Sequence, residues 1–326
     1  MGLGGILDSG GGDWTLEIEG GRDEAVPGGS LRGTASFVAS RRLEARGVAA
    51  SLVAHEEYAY EVTDPSARGG SRVDRRWESS DAWRQELSLS VPTVLEAGSH
   101  HSFPFEFDLP PDALPSFHSG VLRLEWRLSI SIDVGGRDPS VQRDIVVPLK
   151  AETISGVDPA ALEQRVEGAR DGDAFTISIE PRPLAPGAAF QGAIETAQEL
   201  APGKTRVEVK LVVSTDYSSG GFNVGIDLGG GVRVESLARR AVHEQRAIWT
   251  GTLTGSEPAE GTRRYAFAGR LPDEPVATIV LPHGSARAMV DVVVDRRLRP
   301  DVHYTRPVAI GAAWSELAQL IRNEVR

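Results

Sequence analysis

The chain has 326 residues, no cysteine and a formal net charge of −11. Without cysteine there is no disulfide framework, no thiolate zinc site and no cysteine nucleophile. An acidic chain without a basic stripe is a poor match for a phosphate backbone, so nucleic acid is not an expected partner; the length suits two domains of ordinary size, each able to bury its own core without metal or cross-link.

The first residues, Met1-Gly2-Leu3-Gly4-Gly5-Ile6-Leu7, hold no basic residue and only a short apolar run, which predicts no leader peptide. Ile6 stands where a myristoylation signal needs Ser or Thr. No apolar stretch approaches the ~20 residues that cross a bilayer. The expectation is a soluble cytoplasmic protein that does not bind membranes.

Residues 13–150 read as one domain of short strands. Trp14, Leu16 and Ile18 alternate with polar residues, the period-two mark of a strand with one face on a core. Glu56, Glu57, Glu61 and Asp64 follow as an acidic group. Paired carboxylates equip hydrolases, but nothing indicates a buried acid beside an ionised one, and the group is expected to be a hydrated face. Trp77 and Trp83 then interrupt a polar run. On a strand they fall on the same face, where they pack on the core, the favoured reading, or anchor a partner.

His100 and His101 precede the alternating Phe103, Phe105 and Phe107. Adjacent residues of a strand point to opposite faces, so these histidines do not share an ion, and with His118 they are read as surface residues. The clearest strand runs from Leu122 to Val134. Leu122, Leu124, Trp126, Leu128, Ile130, Ile132 and Val134 occupy one face and charged or hydroxyl residues the other. Gly135-Gly136-Arg137-Asp138-Pro139 closes it as a turn.

Residues 151–172 form the seam, where Asp158 as N-cap and Pro159 at the first helical position predict a short linker helix to about Glu167. Residues 173–310 read as a second domain of strands, with alternation at Phe175, Ile177, Ile179 and again at Val207, Val209, Leu211, Val213. Gly225 to Gly231 is glycine-rich, but Val232-Arg233-Val234-Glu235 continues as an alternating run. A phosphate cradle needs a helix there, so a hairpin loop is expected. Residues 311–326 close the chain with an expected amphipathic helix: Trp314, Leu317, Ile321 and Val325 share a stripe with Leu320 at its edge.

The two domains repeat each other. Trp14 to Glu19 is echoed by Phe175 to Glu180, Pro27-Gly28 by Pro186-Gly187, Gly33 by Gly192, Phe103, Phe105 and Leu109-Pro110 by Tyr265, Phe267 and Leu271-Pro272, and Pro148 by Pro307. All fall at shifts of about 160 residues, so two copies of one sandwich are expected.

At these landmarks the sequence resembles the arrestin family, including the bacterial sporulation-control relatives. The residues that carry the resemblance are Val26-Pro27-Gly28-Gly29-Ser30-Leu31-Arg32-Gly33, Ala45 to Glu56, Phe103-Pro104-Phe105-Glu106-Phe107-Asp108-Leu109-Pro110 and Pro115-Ser116 before the long strand. The resemblance implies an all-β chain of two tandem antiparallel immunoglobulin-like sandwiches of arrestin-like architecture, and an adaptor role. Receptor-binding arrestins carry a phosphate-sensing lysine pair near the first strand. The only lysines here are Lys150, Lys204 and Lys210, so phosphoreceptor recognition does not carry over.

No catalytic constellation is legible. Ser116 lies near His118 and Ser285 near His283 in sequence, but neither serine sits in a nucleophile elbow. The expectation is a non-enzymatic adaptor or regulatory scaffold with no cofactor and no metal, binding other proteins or a second copy of itself. Trp314, Leu317, Leu320, Ile321, Trp77 and Trp83 are its candidate contacts. The alternative is a small-ligand or carbohydrate-binding sandwich, with Trp77 and Trp83 as stacking platform.

Overall fold

A computed structural model describes residues 11–64, 72–148, 175–215, 239–259, 261–273, 276, 278–297 and 299–311. The chain divides into two compact units. One comprises Met1–Glu57, Ser79–Ser116 and Arg123–Pro148, the other Tyr58–Glu78, Phe117–Leu122 and Leu149–Arg326.

In the first unit β1 (Gly12–Ile18), β2 (Ser30–Ala39) and β7 (His100–Asp108) make an antiparallel sheet in that order. A small pair, β3 (Leu43–Ala45) with β6 (Thr93–Leu95), lies apart from it. A larger sheet is built on β4 (Gly47–Asp64), β5 (Arg72–Ser90), β9 (Leu122–Asp133) and β10 (Ser140–Ile145), with the short β8 (Phe117–His118) on β9; Tyr58–Glu78 and Phe117–Leu122 of these strands belong to the second unit. Period-two alternation decides which faces become core. In β9 the six inward residues from Leu122 to Ile132 are at 2% exposure or less. Each such side chain contributes about 1.5–3 kcal/mol on burial. The indole of Trp126 keeps its polar edge satisfied by donating from Nε1 to the Leu114 carbonyl at 2.9 Å.

The second unit is a sandwich of two antiparallel sheets. One orders β11 (Phe175–Glu180), β12 (Ala189–Thr196), β17 (Thr262–Arg270) and β16 (Gly255–Ala259). The other orders β15 (His243–Thr252), β13 (Thr205–Thr215), β19 (Gly284–Val294) and β18 (Ile279–Leu281), with β20 (Val302–Val308) also on β19. Aromatic pairs join the sheets: Phe175 stacks on Tyr304 at 4.0 Å, and Phe190 meets Trp249 edge-on at 4.9 Å. In the same unit β14 (Arg239–Ala241) pairs with β4 at Tyr60 to Val62.

The repeat read from the sequence is present in the hydrogen bonds of each unit. Gly28 (φ +73°) and Gly187 (φ +68°) occupy the third position of Pro-Gly turns closed by Gly29 N–H to Val26 O at 2.9 Å and Ala188 N–H to Ala185 O at 3.1 Å. A positive φ at that position selects glycine. Each turn docks the same way, Gly28 N–H on Pro110 O and Gly187 N–H on Pro272 O, both at 2.9 Å. Beyond each turn a glycine passes under a phenylalanine ring. A Cβ on Gly33 would lie 2.6 Å from Phe105, and one on Gly192 2.2 Å from Phe267. Parallel bridges Glu24 to Val146 and Leu184 to Ile310 complete the correspondence.

The described residues are all-β apart from a one-turn 3-10 helix at Pro202–Lys204. The linker helix expected at Asp158 to Glu167 and the terminal helix expected from Ala312 lie outside the described residues.

Candidate functional site

Two places gather chemistry-bearing side chains: the β4–β5 ribbon and the polar face of the β13–β19–β20 sheet. On β4 the inward row runs Val48, Ala50, Leu52, Ala54, Glu56, Tyr58, Tyr60 and Val62, all buried. Glu56 therefore does not lie on a hydrated face as its acidic neighbours suggested. The strand phase carries it inward to zero exposure, and Ser80 Oγ donates to its Oε2 at 3.2 Å.

Cross-strand bonds fix how β5 lies on β4. His55 meets Asp81 at 3.1 Å, Glu56 meets Ser80, and Tyr58 hydroxyl donates to Glu78 Oε2 at 3.3 Å. One step up β4 is one step down β5 throughout, which sets Ala59 opposite Trp77. Asp81 also accepts from Arg84 Nη2 at 2.7 Å. The bonds from His55 and then Arg84 outweigh partial burial and hold its carboxyl below the usual range.

The tryptophans separate. Up to Ala82 the half-buried residues of β5 are the even-numbered Asp74, Glu78, Ser80 and Ala82; from Trp83 to Leu89 they are the odd-numbered Trp83, Gln85, Leu87 and Leu89, and the terminal Ser90 is half-buried as well. This change of phase is the mark of one extra residue, a bulge, and it overturns the same-face expectation. Trp83 packs on Trp126 with ring centroids 5.2 Å apart, whereas Trp77 is 40% exposed, beside Val73 at 53% on the same phase of the strand. They do not form a joint stacking platform. Trp314, Leu317, Leu320 and Ile321 lie outside the described residues.

In the second unit, Lys210 on β13 reaches Asp291 Oδ2 at 2.5 Å and Glu208 Oε2 at 3.0 Å. His303 Nδ1 lies 2.9 Å from the same Asp291 oxygen, and Arg206 Nε donates to Glu208 at 2.7 Å. Burial alone would lower the Lys210 ammonium, but its bonds to Asp291 and Glu208 win and raise it. Burial likewise pushes Glu208 up, yet Arg206 and Lys210 together pull it below the ordinary value. A lysine held this firmly protonated is an ion-pair partner rather than a nucleophile. The sequence hid this group because Glu208 and Lys210 sit on the polar phase of β13, where residues are ordinarily hydrated.

Ser116 Oγ accepts from Val147 N–H at 3.0 Å, and the His283 ring lies flat on Tyr58 at 4.3 Å. His100 and His101 fall on opposite faces, the former exposed, and His101 Nε2 bonds Ser99 Oγ at 2.6 Å. A cavity of about 20 Å³ beside Arg182 and Arg306 has room for roughly one water. Among the described residues no group of His, Cys, Asp and Glu is arranged to hold a metal ion, and no helix is long and apolar enough to cross a membrane.

No protein-family model matches the chain, and no curated protein matches it. Among solved structures, the sporulation control protein Spo0M of Bacillus subtilis aligns at 16% identity, over 57% of this chain and 67% of that one, with a TM-score of 0.31. At that level the likeness shows neither fold nor function.

Proposed function

We propose that the chain is a non-enzymatic adaptor of the arrestin-like kind, cytoplasmic and assembled from two tandem immunoglobulin-like sandwiches, and that β5 is a strand it presents to protein partners. The observation that carries this reading is Trp77. A tryptophan 40% exposed next to Val73 at 53%, with Arg75 between them, has the composition of a protein-binding hot spot. Arg206, Glu208, Lys210 and Asp291 meet as ion pairs, which supports binding over catalysis. The repeated Pro-Gly turns support the arrestin-like reading. By sequence pattern Trp314, Leu317, Leu320 and Ile321 are proposed as a second contact.

Affinity capture from the native cell at mild salt, with wild type, Trp77→Ala and a chain lacking residues 312–326, tests the proposal. Partners present with wild type and lost with one of the variants are expected. An identical capture by all three would remove both proposed contacts.

A further inference from the structure

Resting on the reading of the chain as an adaptor, we propose that one end of the second unit, where the β19–β20 turn meets the turn before β13, docks an extended Asp- and Glu-rich segment of a partner protein. The backbone assembles this surface. Arg299 N–H donates to Arg296 O at 3.1 Å and tightens the β19–β20 connection. Asp295 N–H donates to Lys204 O at 2.8 Å and ties that connection to the 3-10 turn Pro202–Lys204. Lys204, Arg296, Arg297 and Arg299 are thereby gathered at one end of the sheet, and all four are exposed.

Their charges are uncompensated. Among the described residues none of the four makes an ion pair, whereas Arg206, Arg264 and Arg270 of the same unit pair with Glu208, Glu195 and Asp273. Arg206 also reaches Asp301, the acid that follows the turn, at 3.6 Å, so that carboxylate is already engaged. Glu199 and Asp295 are the acids left beside the four cations, and this end is positive in a chain of net charge −11.

The first unit supplies the contrast. There a backbone bond, Arg46 N–H to Asp133 O at 2.8 Å, ties the β9–β10 connection to the turn before β4 in the same way. Its cations are matched: Arg46 reaches Asp133 at 2.5 Å, Arg42 reaches Glu96 at 3.7 Å, and the β9–β10 turn holds one arginine, Arg137, beside Asp138. The cationic end is therefore a property of the second copy and not of the fold.

The kind of charge selects the kind of partner. A guanidinium is a planar fork that a carboxylate meets with two hydrogen bonds, and three forks on one turn suit a run of carboxylates. A lipid surface is a poorer match, since electrostatic adsorption draws on about four to eight cations and interfacial insertion on apolar area. Here Glu199 and Asp295 offset part of the charge, and from Ala201 to Lys204 and Asp295 to Pro300 the sequence holds one large apolar residue, Leu298. A phosphate backbone calls for a stripe of cations rather than a tip. Exposed charges without partners add little to folding stability, so these residues can be replaced without loss of the fold.

Fluorescence anisotropy of a short labelled peptide of alternating Glu and Asp, titrated with the full chain, tests the proposal. Binding should saturate and should weaken as salt rises through physiological strength. Arg296→Ala/Arg297→Ala/Arg299→Ala should weaken it about tenfold or more, with the melting temperature within about 2 °C of wild type. Arg22→Ala/Arg42→Ala/Arg137→Ala removes the same charge from exposed positions of the first unit and should leave binding within about twofold. A wild type that ignores the peptide, or a first triple variant that loses no more than the second, overturns the proposal. So does sedimentation with phosphatidylcholine–phosphatidylserine vesicles, or retention of a short DNA duplex, that the first triple variant abolishes. If the chain captures a cellular protein through Trp77 but ignores the peptide, the turn proposal alone fails. A chain whose turn binds the peptide yet captures nothing from the cell fails the adaptor reading instead.

Discussion

Strands β7 and β17 hold the same place in the two repeats, each paired along β2 or β12 and each laying phenylalanines into a core. They differ at the outer edge. In β17, Ala266 faces Gly255 of β16 and accepts a hydrogen bond from Thr254 N–H at 2.7 Å. The corresponding residue of β7 is Pro104, opposite Thr34. Leu109 N–H donates to Gly29 O at 2.9 Å, and counting along the ladder from that bonded pair turns the Pro104 nitrogen away from β2. The missing N–H is the one an added strand would use. One copy of the repeat thus extends its sheet, and the other closes the same edge with the one residue that has no donor.

The comparison is sharpened first by what the two strands share. Phe105→Ala and Phe267→Ala should each cost about 3–5 kcal/mol in denaturant unfolding, because both rings are buried over a glycine that leaves the cavity no side chain to fill it. A loss confined to one of them would mean the two cores are not equivalent.

Next comes the edge itself. Ala266→Pro should lose about 1–3 kcal/mol by stripping a donor from the β16–β17 ladder. Pro104→Ala should leave the melting temperature within about 2 °C and raise concentration-dependent association in light scattering. Equal behaviour of the two substitutions would break the contrast.

The turns give a smaller, matched pair. Gly28→Ala and Gly187→Ala place a Cβ at positive φ and should cost about 1–2 kcal/mol each. The second should be slightly worse, since its Cβ would also displace the Asp273 carboxylate, 2.2 Å away.

The smallest effects lie in the pH profile. Asp81 in the first unit and Glu208 in the second both have lowered folded values. Their contribution is complete above the unfolded carboxylate value of about 4 and disappears as pH falls through the lower folded values. Lys210 runs the other way: its folded value is raised, so its contribution is complete below about 10.4 and is lost as pH rises through the folded value. Asp81→Asn should flatten part of the acid limb, whereas Lys210→Met should flatten part of the alkaline limb. A Lys210→Met protein with an unaltered alkaline limb would contradict the ion-pair geometry.

Much of this was legible in the residues. The alternation of β9 and the Pro-Gly turns follow from local chemistry alone, since a half-buried strand and a positive φ leave their mark within a few positions. Glu56 was not legible, although Leu52, Ala54, Tyr58 and Tyr60 set the phase that buries it. Its charge argued for water, and the Ser80 bond that offsets part of the desolvation comes from another strand. The separation of Trp77 from Trp83 rests on one extra residue in β5, and a bulge at Ala82-Trp83 has no signature of its own. The covering of β17 by β16 was equally hidden, because the neighbours of an edge are set by folding at long range; only Pro104 hinted at the edge that no described strand extends.

The packing of Trp83 on Trp126 has an optical consequence. Two indoles 5.2 Å apart and tilted by 44° couple their transition dipoles, so their circular dichroism is a couplet of opposite lobes rather than the sum of two chromophores. That couplet reports whether β5 beyond its bulge still lies on β9, while Trp77, more exposed, is the tryptophan a collisional quencher reaches more readily. The chain therefore carries two native probes on one strand, and a single unlabelled sample can distinguish loosening of the core from coverage of the edge.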